Sequence, residues 1–199
     1  MKILLIGANG TIGSAVAEEL AQRHEIVRIG RSSGDLQVDI SDSASIRRLF
    51  EQTGKFDALV CAAGNVTFAP LAEMTEKDFA LGLSDKLMGQ VNLLLIGRDY
   101  ANDGASFTFT TGVLSHDPIR SGSSAALVNG AIDSFVRAAA IELPRGLRVN
   151  SVSPNVLAEA MDSYAPYFRG FKPVPAADVA LAYAKSVEGL QTGQTYRVG

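Results

Sequence analysis

Little in this chain supports the more specialised chemistries. Among its 199 residues there is one cysteine, so an intrachain disulfide and a cysteine-based metal cluster are both excluded, and a reducing compartment is the expectation. Long hydrophobic runs are lacking. The opening MKILLIGANG has four apolar residues before glycine, too few for the apolar region of a signal peptide, and no uninterrupted run approaches the ~20 apolar residues of a membrane span. Basic excess is also lacking. The net charge is −3 with lysine and arginine scattered, which argues against nucleic acid as a partner. There is no repeat, no low-complexity tract and no composition break marking a linker. A cytoplasmic, single-domain protein without metal, membrane or nucleic-acid partner is the expectation. The 47% hydrophobic content is enough for a full core.

What is present is an alternation of short apolar runs and longer amphipathic segments. KILLIG (2–7), EIVRIG (25–30), LQVDI (36–40), DALVCAAG (57–64), ASFTFTTG (105–112), LRVNSVSP (147–154) and TYRVG (195–199) read as strands. Helices are expected near 11–22, 43–53, 75–102, 123–143 and 176–189. The pattern implies an α/β fold: a doubly wound, Rossmann-like parallel sheet covered on both faces. Only SSGD separates Arg31 from Leu36, too short for a crossover helix, so one is expected to be missing between strands 2 and 3, leaving a poorly covered patch. Residues 155–175, with three prolines and four aromatics, read as a loop or lid.

GANGTIG places Gly7, Gly10 and Gly13 directly after the first strand and at the opening of a helix. Here Asn9, Thr11 and Ile12 complete a turn whose backbone N–H groups and helix N-terminus suit a pyrophosphate. The second strand ends in Gly30, Arg31 and Ser32, where an NAD site usually presents a carboxylate to the ribose hydroxyls. A guanidinium cannot accept those bonds but can grip a 2′-phosphate, which favours NADP over NAD. Asp35 is the nearest carboxylate but sits beyond the turn.

Together these segments resemble the short-chain dehydrogenase/reductase family. The turn has the Gly-x-x-Gly-x-x-Gly spacing of its atypical and extended members. VDI (38–40) is similar to the segment that meets the adenine, which implies Asp39 and Ile40. CAAG resembles the family's Asn-Asn-Ala-Gly and implies Cys61, Ala62, Ala63 and Gly64. RVNSVSPN resembles its Arg-Val-Asn-x-Val-x-Pro-Gly, which leads to the nicotinamide end and implies Pro154, Asn155 and Val156. TGQTYRVG is like its C-terminal strand. The resemblance implies strand order 3-2-1-4-5-6-7, oxidoreduction of a carbonyl or alcohol, and a homodimer or homotetramer built on the two long helices.

The departures are chemical. FVRAAAIEL (135–143) matches the later turns of the family's catalytic helix. This register puts Ala125 where a tyrosine belongs and Asn129 where a lysine belongs. A one-residue slip offers Ser124. The catalytic serine becomes Thr111 (or Thr110), and the helix-four asparagine becomes Lys86. Lys86 shares a stripe with Phe79, Gly82, Gly89 and Leu93, while residues 78, 85, 92 and 99 form the expected wet face. Its ammonium either enters the space left by the missing lysine or reaches solvent or an acid. His116 is read as a loop histidine, and His24 as a surface turn residue. Tyr164 and Tyr167 are read as packing over the site mouth, and Cys61 as inert core. Two functional classes remain: a reductase with a non-standard proton donor, or a catalytically inactive NADP(H)-binding sensor.

Overall fold

A computed structural model describes all 199 residues, Met1 to Gly199. A seven-stranded, wholly parallel sheet runs in the order β3-β2-β1-β4-β5-β6-β7, as expected. Its strands are β1 (Lys2–Ile6), β2 (Glu25–Gly30), β3 (Leu36–Gln37), β4 (Phe56–Cys61), β5 (Ala101–Thr110), β6 (Arg148–Pro154) and β7 (Thr195–Val198). The helices are α1 (Thr11–Ala21), α2 (Ser43–Thr53), α3 (Glu76–Gly82), α4 (Met88–Gly97), α5 (Ser123–Ala140), α6 (Met161–Tyr164) and α7 (Ala176–Glu188).

Alternate residues of the buried strands feed two cores, as the pleat requires. On one face Leu4, Ile6, Leu59 and Phe107 pack with α2, α4 and α5. On the other Ile3, Leu5, Ala58 and Val60 pack with α1 and α7. Local signals set the helix starts. Asp42 caps α2 by accepting from the Ala44 N–H at 2.9 Å, and Thr75 and Asp78 form a capping box on α3.

No helix joins β2 to β3. Gly34, at φ +113°, turns the chain, and Asp35 closes the link by donating its N–H to the Arg28 carbonyl and accepting the Arg28 N–H on its carboxylate. On the face that α1 covers, Ile26 is half-buried and Arg28 exposed, the expected thin patch. LQVDI yields only two strand residues, because the chain leaves the sheet edge at Val38 to turn into α2.

The expected helix 75–102 is interrupted. A π-helical turn, Leu83–Leu87, separates α3 from α4, and the chain has re-entered the sheet by Ala101. The extra residue of a π turn rotates the helical face downstream of it, so period-3.6 reasoning fails there. Asp85, assigned to the wet face, is 4% exposed. By length and mean hydropathy alone the run Glu76–Gly97 could cross a membrane, contrary to the sequence reading. In the fold it packs on the sheet and α5, with Leu93 and Leu94 in the core.

Candidate functional site

The crevice lies along the C-terminal edge of the sheet, where the loops after β1, β4, β5 and β6 gather. It opens at the glycine turn. Gly7 holds φ +82°, and a Cβ there would fall 2.6 Å from the Ala62 carbonyl oxygen. A Cβ on Gly13 would collide with the Gly7 carbonyl, so this glycine seats α1 against the turn. A Cβ on Gly10 would make only an ordinary contact, 3.5 Å from the Gly7 carbonyl oxygen, and Gly10 offers α1 no side-chain cap. The N–H groups of Thr11, Ile12 and Gly13 therefore have no acceptor in the protein. Three free donors at a helix N-terminus make an anion cradle. The side of the turn is braced by Asn9, whose amide donates to the Ser33 hydroxyl at 2.8 Å.

Beyond the turn, Gly7, Arg31, Val38, Ile40, Gly64 and Asp85 line a small cavity of about 80 Å³. Arg31 reaches across its rim. One guanidinium nitrogen donates to both Asp39 oxygens at 3.0 and 3.1 Å and stands 3.8 Å from Asp85. The Asp39 carboxyl is held below its ordinary range, first by the Ser41 hydroxyl and N–H and then by Arg31. Ser32 contributes its carbonyl to Gln37. Ile40 packs against Gly89 of α4. Asp85 accepts from the Asn65 N–H and amide, both at 3.0 Å, and so fixes the loop after Gly64. Sequence reasoning missed both acid contacts. Arg31 and Asp39 meet only through the fold, and the π turn hid Asp85.

The far end of the crevice brings Lys86, Thr111 and Asn129 onto neighbouring elements. Residues 61–64 cross beneath it. The Cys61 side chain lies in the core, and burial pushes its thiol up to about 12, so only its backbone is available. Ala62 donates its N–H to Ile6, and Ala63 packs against the α4-side core. Gly64, at φ +135°, is covered by the stem of Lys86. Lys86 is half-buried and has neither a hydrogen bond nor an ion pair, so it does not make the acid contact that was its alternative. Burial pushes its pKa down to about 8, opposed by Cys61 and Asp133.

The two threonines separate cleanly. Thr110 points to the α7 side, bonding the Cys61 carbonyl at 2.6 Å and the Tyr183 hydroxyl. Thr111, one residue on, faces the opposite side and has only a 3.4 Å contact to the Val152 carbonyl. Asn129 lies beside Gly112, is 3% exposed, and its amide oxygen has no partner. Gln90 and Tyr183, which sequence reasoning did not single out, hold this end in place. Gln90 bridges Lys86 and Thr110 through backbone bonds of 2.9–3.2 Å. A buried amide one turn beyond Lys86 was the available signal.

Helix α5 contains neither tyrosine nor lysine. Ala125 is buried with Val113, Leu114, Val156 and Phe168 in a small apolar cluster, and the Ser124 hydroxyl is buried without a partner. Pro154 ends β6, and Asn155 accepts from the Val156 N–H. The segment 155–175 carries α6, and the parallel bridge Leu157–Val174 draws its ends together. His116 is exposed and touches only Ser115, consistent with a loop histidine. His24 is more than a turn residue: at 2.9 Å from Glu188 it ties α1 to α7, far from the crevice.

The arrangement fits a dinucleotide. Free amides could receive phosphates at one end, and at the other a buried amide oxygen without a partner could accept from a donor such as a ribose hydroxyl. Comparisons with known proteins agree. Residues 4–191 match a family model described as Enoyl-(Acyl carrier protein) reductase. A short-chain dehydrogenase/reductase of Pestalotiopsis microspora is 29% identical over 161 residues, which cover 74% of this chain and 59% of that protein. A tropinone reductase homolog of Arabidopsis thaliana is 28% identical over 98% of this chain and 90% of its own. The protein lin1944 from Listeria innocua has a structure with TM-score 0.99 and 55% identity over 100% of both chains. A small-chain dehydrogenase solved in complex with NADPH has TM-score 0.88 and 26% identity, over 100% of this chain and 96% of its own.

Proposed function

The chain belongs to the short-chain dehydrogenase/reductase family, and on that basis we propose an NADP(H)-dependent oxidoreductase of a small carbonyl or alcohol whose proton donor is Lys86. One observation carries this reading: the stem of Lys86 lies against Gly64, in the loop after β4, and its ammonium has no hydrogen bond or ion pair in the protein. NADP(H), when bound, supplies or takes up the hydride. The free amides of Thr11, Ile12 and Gly13 would hold its phosphates, and Asn129 would accept from the nicotinamide ribose. Arg31 would leave Asp39 to meet a 2′-phosphate, an exchange open to a side chain 60% exposed. The NADPH complex of the structural relative supports NADP over NAD.

Thr111 donates its hydroxyl to the substrate oxygen and fixes its position. Lys86, with its pKa near 8, is protonated at neutral pH yet gives up its proton readily. With a hydride delivered to the carbon, the Lys86 proton would pass to the oxygen to complete the alcohol, and Lys86 would recover its proton from water. In this reading Ala125 and Asn129 occupy the family's tyrosine and lysine positions.

A second reading is a sensor that binds NADP(H) without turnover. It is favoured by Ala125, which puts an apolar cluster where the family has a phenol. Fluorescence titration with NADPH and NADH, followed by a panel of quinones and diketones, separates the two. NADPH-selective binding with oxidation across the panel is the expected result. Binding without oxidation favours the sensor, and NADH binding ahead of NADPH overturns the role given to Arg31.

A further inference from the structure

A second cleft lies outside the dinucleotide crevice. It has a volume of about 750 Å³, within the range of small-molecule sites, and is walled by three loops from the same sheet edge. Phe68 comes from the loop after β4 and Arg120 from the loop after β5. Tyr164, Tyr167, Arg169 and Phe171 come from the segment after β6. The aromatic wall is continuous. Tyr164 meets Phe68 edge-on with centroids 6.3 Å apart and Phe168 at 6.1 Å, and Phe168 meets Phe171 at 5.2 Å. Phe168 in turn packs in the cluster around Ala125, so the floor of the cleft backs onto the crevice.

The charge of this cleft runs against that of the chain. The protein carries −3 overall, yet no carboxylate lines the cleft, and its two charged groups are both guanidinium. Neither Arg120 nor Arg169 has a side-chain hydrogen bond or an ion pair within the protein. Two unpaired guanidiniums among aromatic faces suit a planar apolar body that bears an anion.

We propose that this cleft binds an organic anion with a planar, apolar body, and that such an anion is the substrate class of the protein. The assignment as substrate rests on the oxidoreductase reading; the binding does not. Isothermal titration with 2-naphthoate and with its neutral isostere 2-acetonaphthone, each with and without NADPH, tests it. Naphthoate is expected to bind more tightly than the ketone. Arg120→Gln and Arg169→Gln are each expected to weaken naphthoate by about tenfold and leave the ketone unchanged. Arg47→Gln, on α2 and outside the cleft, should alter neither. Equal affinity for the two probes, no saturable binding, or insensitivity to both cleft variants overturns the proposal. A carboxylate preference in a protein that does not bind NADPH upholds the cleft and overturns the oxidoreductase reading. NADPH binding without that preference does the reverse.

Discussion

The Lys86 side chain lies across Gly64, so closely that a Cβ built on the glycine would fall 2.7 Å from Lys86 Cγ. That contact sets the root of the lysine side chain against the loop after β4, and Gly64 permits it only because it has no side chain and holds φ +135°. Gly64→Ala should therefore destabilise the protein by about 1–3 kcal/mol and shift the pH dependence of any Lys86-linked signal. Urea denaturation measures the first effect. A variant as stable as the parent contradicts the contact.

Lys86 should oppose folding at neutral pH. The unfolded chain keeps this proton up to about 10.5, whereas burial lowers the folded value to about 8. Below pH 8 the penalty is present in full, and it fades as pH rises from 8 toward 10.5, where the unfolded chain binds more protons. Lys86→Met is expected to be more stable than the parent at pH 7 by about 1–3 kcal/mol, with the gap closing by pH 10. A gap that stays constant with pH removes the buried charge as its cause.

Thr110 and Thr111 should divide stability from chemistry. Thr110→Val leaves the buried Tyr183 hydroxyl without its partner and should cost about 1–3 kcal/mol. Thr111→Val loses only a 3.4 Å contact, so it should fold normally and lose turnover. Denaturation and steady-state assays on both variants measure the division. The opposite pattern would exchange their roles.

Arg31→Ala should weaken NADPH by about tenfold or more while leaving NADH within about twofold, because only NADPH offers a group to replace Asp39. Rising salt should weaken NADPH binding to the parent. Equal losses for both nucleotides would reduce Arg31 to a structural partner of Asp39.

Leu81, Leu83 and Met88 around α3 and α4, and Leu127 on α5, are exposed apolar side chains, and we propose that these helices pair in a homodimer. Light scattering should give twice the chain mass, and Leu127→Glu should give the monomer. A monomeric parent at tens of micromolar contradicts it.

Most of the fold was legible because buried parallel strands are apolar throughout and their turns are marked by glycine. The bounds of α2 and the missing β2–β3 helix were read directly, since Asp42, Gly54 and the short SSGD link are local signals. The α3–α4 region was not, because a π turn shifts the helical face without any distinctive residue, and Asp85 was misplaced as a result. At the site the glycine turn was legible from its spacing, while Thr111, Asn129 and Lys86 were reached only through the family resemblance. The Arg31–Asp39 pair, the Gln90 bridge and the Tyr183–Thr110 bond were not, because each joins residues that only the fold brings together.

In the proposed reaction a relocated lysine does the work of an absent phenol. Single-turnover oxidation of NADPH by a reactive diketone, followed from pH 6 to 10 in the parent, Lys86→Arg and Lys86→Met, isolates that step. The parent rate should fall as pH rises through about 8, this limb should vanish in Lys86→Arg, and Lys86→Met should be at least about a hundredfold slower at pH 7. A parent-like rate and pH profile in Lys86→Met, with NADPH still bound, would remove Lys86 as the proton donor.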